Sequence, residues 1–358
     1  MRPVSAADAI SPAFTRTREL LLQPFRPGRF FKIMIVAALA EVGCISAAVQ
    51  TPLQVVMMFG QAMGKGQLPR NAQPIMLIVP LILLLVFSTI WLVLGYIFTR
   101  LRFVIFDFIV RRETSVGAAW RAHGRDSWRY FGLNLLVLLA LMILVLSFAA
   151  PFLVGLLHSL ESRDPARIMP HLLAIFAAAI AISLLVQLAD SILRDFFLPQ
   201  MALEDAAIEH SAGGFFRLFQ ESPGEVILYL LLKFALTIAF GMALALIVIL
   251  CAGIIALALL AVGFVLFHFL WTVGIAGRTV VISYGILAGL GFVILYVAGL
   301  LAASGINGVF RTAYAAYFFG SRYFPLGSEL DPQSSAISTP VVAETPLPPP
   351  FPEPPPVW

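Results

Sequence analysis

Cysteine is nearly absent: Cys44 and Cys251 are the only two in 358 residues, and both lie inside apolar runs. That excludes a disulfide framework, and the lack of any CxxC or Cys/His spacing excludes the common zinc modules. Charge is scarce as well, at 12% of residues against 60% hydrophobic. A soluble domain carries roughly 25% charged and 45–50% apolar residues, so this composition excludes a soluble globular protein. Lysine is rarer still, 3 against 20 arginines, which reads as the codon usage of a GC-rich bacterial genome. Enzyme signatures are missing: there is no HExxH, GxSxG, P-loop or GxGxxG. The expectation is a non-enzymatic protein with no cofactor and no bound metal.

What the chain does have is long apolar runs edged by arginine. The stretch from Pro74 to Arg129 organises the rest. Ile75 to Phe98 is apolar and ends at Arg100 and Arg102, and RFVIFDFIVRR follows, with Arg111 and Arg112. The segment then closes on SVGAAWRAHGRDSWRYF, which carries Trp120, Arg121, Arg125, Trp128 and Arg129. A run of about 20 apolar residues is long enough to cross a bilayer. Aromatic and basic side chains after it suit the membrane surface, because each has an apolar body and a polar tip. The net charge of +4 comes from residues that flank apolar runs. That placement argues for anionic lipid headgroups and against nucleic acid as the partner.

The spacing predicts spans at 30–49, 75–98, 130–157, 171–193, 226–250 and 279–301. The apolar segment 252–274 is either a buried or re-entrant segment or a seventh crossing. Lys233 should snorkel toward the near interface. An offset of 96 relates Gly117 to Gly213, Trp120 to Phe216 and Arg121 to Arg217, which suggests an internal repeat. NGVFRTAYAAYFFGSRYF, with Arg311, has the same surface style. The fold class expected is all-α: a polytopic membrane bundle of six or seven spans in repeated hairpins, with amphipathic helices at the interface. Residues 1–29 should form a basic interfacial segment and not a cleavable signal. Residues 30–324 should form the membrane domain, and 325–358 a disordered, Pro-rich cytoplasmic tail. The positive-inside rule places the N-terminus in the cytoplasm of a bacterial inner-membrane protein.

Ionisable groups inside spans are the default functional candidates. These are Glu41, His268 and Asp190, the last expected to pair with Arg194 four residues on. Glu41 and His268 would serve a transporter if at least one of them lined a water-accessible mid-membrane cavity. His123 and Asp126 would serve a lipid-headgroup enzyme only if they converged with another charged group. Gly285 and Gly289 form a GxxxG pair that should pack helices, within the chain or in a homo-oligomer. PLPPPFPEPPP could engage a protein with an aromatic-lined groove.

SPAFTRTRELLLQPFRPGRFFK, RFVIFDFIVRR with AWR, and FRTAYAAYFFGSRYFPLG together resemble an uncharacterised family of bacterial polytopic membrane proteins. That family is distantly similar to the membrane domain of glycerophosphodiester phosphodiesterases. The resemblance implies a repeated six-helix membrane domain without an assigned activity, and the phosphodiesterase catalytic domain has no counterpart in this chain.

Overall fold

The computed structural model describes residues 4–23, 25–41, 73–112, 115–162, 165–204 and 207–330. Among these residues every regular element is helical. In chain order they are α1 (Ile10–Leu22), α2 (Pro27–Glu41), α3 (Gln73–Val110), α4 (Val116–Ala122), α5 (Gly124–Ser162) and α6 (Pro165–Ile192). A π-helical turn (Leu193–Phe197) follows, then α7 (Leu198–Glu204), α8 (Ile208–Glu221), α9 (Pro223–Leu270), α10 (Ile275–Gly320) and α11 (Phe324–Leu330).

The hydrophobic core gathers at one end of the long helices. Its axis is the second half of α3, where every residue from Leu101 to Val110 is buried. A helix that is apolar nearly all round needs cover on all sides. RFVIFDFIV is such a segment, and α2, α5, α10 and α1 supply much of that cover. In α1 the buried positions are Ala13, Arg16, Thr17, Leu20 and Leu21, the spacing of one helical face. Arg16 donates from Nε at 2.9 Å and Nη2 at 2.5 Å to the Ile109 carbonyl, and from Nη2 at 3.3 Å to that of Val110. These are carbonyls that a helix end leaves without partners, and a cation there also suits the helix dipole. Burial pushes the Arg16 guanidinium down from its ordinary value, yet arginine stays charged in proteins.

Above the core the helices form two apolar arms. One comprises the first part of α3 with the α5–α6 hairpin; the other is the α9–α10 hairpin. Their large side chains are exposed along both arms, for example Leu136, Leu173, Leu246, Phe264 and Ile294. The second hairpin turns through Gly274, whose φ of 91° lies in the left-handed region open to glycine. Gly277 is required beside it, because a Cβ there would overlap the Leu270 carbonyl oxygen. Among the described residues, Arg167 and Arg278 are the only Lys or Arg on the outer parts of the arms; every other one lies toward the core end.

Several expectations change. Four helical segments are long and apolar enough to cross a membrane among the described residues: Gly124–Leu144, Met169–Glu204, Pro223–Leu270 and Ile275–Gly320. That is fewer than the six or seven predicted. The expected first span, 30–49, is described only to Glu41, and its described part is packed in the core. The segment 252–274 does not cross separately: through Leu270 it continues α9 without a break. NGVFRTAYAAYFFGSRYF is no surface helix, since Val309, Phe310, Tyr314, Phe318 and Phe319 are buried. The N-terminal segment is likewise part of the core through α1. Phe324–Leu330 is helical, with Leu326 and Leu330 buried, so the core extends past residue 325. The rest of the Pro-rich tail lies outside the described residues.

α3 ends at Val110, and Arg112 has a φ of 58°. A left-handed residue just past a helix end is usually glycine, because a Cβ is strained there. Arg112→Gly is therefore expected to raise stability by about 0.5–1 kcal/mol. Thermal unfolding in detergent checks this, and a lowered midpoint would count against strain at this position.

Candidate functional site

The charged residues that interrupt the apolar runs meet inside the core. The π-helical turn explains how. In a regular α-helix Asp190 and Arg194 would share a face and pair. Here the wider turn buries Leu193, Arg194, Asp195, Phe196 and Phe197 consecutively, and Asp190, Arg194 and Asp195 find three different partners.

Asp190 accepts both prongs of Arg102, Nη1 to Oδ1 at 2.8 Å and Nη2 to Oδ2 at 3.2 Å. Arg102 Nε also donates to the Ala40 carbonyl at 3.2 Å. One turn along, Glu41 stands between two arginines: Oε1 is 2.6 Å from Arg194 Nη2 and Oε2 is 2.8 Å from Arg311 Nη1. Arg194 Nη2 further donates to Thr312 Oγ1 at 2.7 Å. Asp195 Oδ2 accepts from Lys233 Nζ and, at 2.9 Å, from the Tyr229 hydroxyl. Lys233 Nζ also reaches Ser191 Oγ at 2.9 Å.

Four cations, Arg102, Arg194, Arg311 and Lys233, thus face three carboxylates, Glu41, Asp190 and Asp195. The arrangement ties α2, α3, α6, the π turn, α9 and α10 together. Bidentate arginine–carboxylate pairing is the strong, directional kind. A cavity lined by Arg102, Arg194, Asp195 and Thr312 holds about 10 Å³, room for roughly one water. It cannot admit a substrate.

A second, smaller cluster lies beside it. Asp107 Oδ2 is 2.9 Å from His123 Nε2, and Arg111 is 3.7 Å from Asp107 Oδ1. Asp126 is 3.7 Å from His123 Nδ1. His123 and Asp126 therefore converge with Asp107, but His123 and Asp107 are buried and His123 stacks on Phe103. Among the described residues, no three His, Cys, Asp or Glu side chains could hold a metal.

The other predicted site residues sort by depth. Arg102 and Arg311 are not interfacial: each is held in a core ion pair. Arg100 is half-buried, donating to the Trp120 carbonyl at 2.6 Å with its guanidinium 4.4 Å over the Trp120 ring. Trp128 is 60% exposed, stacked at 4.5 Å on Tyr96. Arg111, Arg112, Arg121 and Arg125 are exposed, and Arg129 is half-buried. On α8, Phe216 is 61% exposed and the Arg217 side chain 80%.

Glu41 and His268 do not come together. His268 is exposed near the far end of α9, about 50 Å along the helix from Lys233. Among the described residues, Gly285 and Gly289 pack against nothing, since no atom lies within 4 Å of a Cβ built on either. Close approaches to another helix on α10 include Gly305, against the Met34 backbone, and Gly308, where Glu41 Cγ would lie 2.7 Å from an added Cβ. Asp195, Tyr229 and Thr312 were not singled out by the sequence, and Lys233 does not snorkel. The available signal was LRDFF, a charged pair in an apolar run.

No curated protein and no solved structure matches this chain, and nothing supports the similarity to glycerophosphodiester phosphodiesterases. The sequence does match one family across residues 4–327, nearly its whole length, and the chain belongs to that family, the family of unknown function DUF7544.

Proposed function

We propose that this is a non-enzymatic, multi-pass protein of the bacterial inner membrane that organises anionic lipids around its cytoplasmic end. The carrying observation is a division of labour among charged and aromatic residues. The ionisable groups of the core are engaged with one another around a cavity for one water. At the same end, Trp128, Phe216 and Arg217 are exposed, with Arg121 and Arg125 alongside. Tryptophan and arginine at such a level suit lipid headgroups, and each basic residue near an anionic surface contributes about 1 kcal/mol. The same asymmetry supports, through the positive-inside rule, a cytoplasmic core end and N-terminus. Six crossings in three hairpins remain the layout we favour. A transporter would need at least one of Glu41 and His268 on a water-accessible cavity; Glu41 is held between two arginines in the packed core and His268 is exposed near the far end of α9, which argues against it.

The test is lipid selectivity. The full chain is placed in nanodiscs of mixed phosphatidylcholine and phosphatidylglycerol, and the lipids retained on detergent extraction are measured. Enrichment of phosphatidylglycerol is expected, falling severalfold in an Arg121→Gln, Arg125→Gln, Arg217→Gln variant. Equal retention of both lipids by the wild-type protein would refute the reading.

A further inference from the structure

The two apolar arms are unequal in length. Measured between the charged residues that bound them, the uncharged helical stretches of α3, α5 and α6 run about 33–46 Å at 1.5 Å per residue. α9 from Phe234 to Leu270 runs about 55 Å, and α10 from Thr279 to Phe310 about 48 Å. No Asp, Glu, Lys or Arg lies between Lys233 and Arg278. Both helices are unbroken from the tip down into the core. Neither has a proline past its first turn, and Tyr284 Oη donates to the Leu259 carbonyl at 2.8 Å near the tip.

Bilayer hydrocarbon is about 30 Å thick. Tilted by about 40°, the upper end of the usual range, α9 would still need about 42 Å of apolar depth. Upright, the tip would carry Phe264, Phe269, Val273 and Ile275 into water, and Ile275 is 86% exposed. Trp271, with Arg278 5.4 Å from its ring, makes an interface anchor at the turn. Burying the apolar length with that anchor at the headgroups requires steep tilt. Because Tyr229, Lys233, Thr312 and Tyr314 fix both helices in the core, the arm cannot tilt without turning the core.

We propose that the α9–α10 hairpin is an oblique arm whose tilt follows bilayer thickness and turns the core with it, a thickness-responsive element built into the fold. This rests on the membrane reading but not on lipid headgroup preference.

The experiment uses the full chain with Cys44 and Cys251 replaced by alanine. A bifunctional spin label bridges cysteines placed at Leu246 and Leu250, exposed positions on α9. Helix tilt is read by electron paramagnetic resonance in aligned phosphatidylcholine bilayers with acyl chains of increasing length. With no anionic lipid present, the outcome is independent of lipid selectivity. The expected tilt is about 55° in a bilayer of ordinary thickness, decreasing by about 10° or more from the thinnest to the thickest. A tilt under about 40° throughout, or one that ignores thickness, overturns the proposal. A second label bridging Leu290 and Ile294 on α10 gives the same reading if the first variant fails to fold.

Discussion

Replacing Glu41 with alanine is expected to lower stability by about 3–5 kcal/mol, the usual effect of removing one partner from a buried ion pair. Glu41 answers two cations, Arg194 and Arg311, and its loss leaves both facing a core without their carboxylate. Arg194 keeps its bond to Thr312. The desolvation of each guanidinium was already spent on folding, and only the carboxylate offset it. Glu41→Gln retains an acceptor oxygen and should fall between alanine and wild type. The check is denaturant unfolding of the detergent-solubilised protein. A midpoint unchanged by Glu41→Ala would mean that Glu41 is solvated and the cluster does not hold. A companion comparison sharpens the point: Arg102→Met with Asp190→Leu removes a whole pair and should cost less than Arg102→Met alone.

Gly305→Ala should be nearly as damaging, by about 3 kcal/mol, for a steric reason. A Cβ there would overlap the Met34 carbonyl oxygen, which is backbone and cannot swing aside. α2 would have to move off α10, and Glu41 would move with it. The contrast is Gly285→Ala together with Gly289→Ala. Both positions are mid-helix in α10 and open. Each should gain up to about 1 kcal/mol from helix propensity. Unfolding of the three variants side by side settles it. If Gly305→Ala is harmless, the α2–α10 contact is looser than described. If the Gly285 and Gly289 changes destabilise, those glycines have a close neighbour beyond the described residues.

Apolar periodicity and arginine placement were enough to read a helical chain with segments long and apolar enough to cross a membrane. The π turn was not legible, because nothing in LRDFF distinguishes a five-residue turn from one of α-helix. The expected Asp190–Arg194 pair therefore gave way to Asp190–Arg102 and Arg194–Glu41. Interfacial and core arginines also look alike in sequence. Arg102 and Arg121 both follow apolar or aromatic residues, yet one is buried against a carboxylate and the other is exposed. Only the tertiary position of Asp190 separates them. The GxxxG pair misled for a related reason: small residues permit close packing without requiring it. At Gly305 and Gly308 a helix takes up that permission; at Gly285 and Gly289 none among the described residues does.

The contacts of the segment just before α1 bear on the order in which the protein can be made. Tyr314 donates to the Ala6 carbonyl at 2.9 Å, and Arg322 to that of Val4 at 2.8 Å. Glu225 accepts from the Ala6 amide at 3.2 Å. Synthesis proceeds at about 5–20 residues per second, so the first helix waits roughly 15–60 seconds for its last partners to leave the ribosome. Through that interval Arg16, the α3 terminus and the half-filled ion cluster must stay soluble or shielded at the insertion machinery. The fold closes from its two ends, so a chain stopped before α10 would lose the anchor of its beginning as well as its final helix.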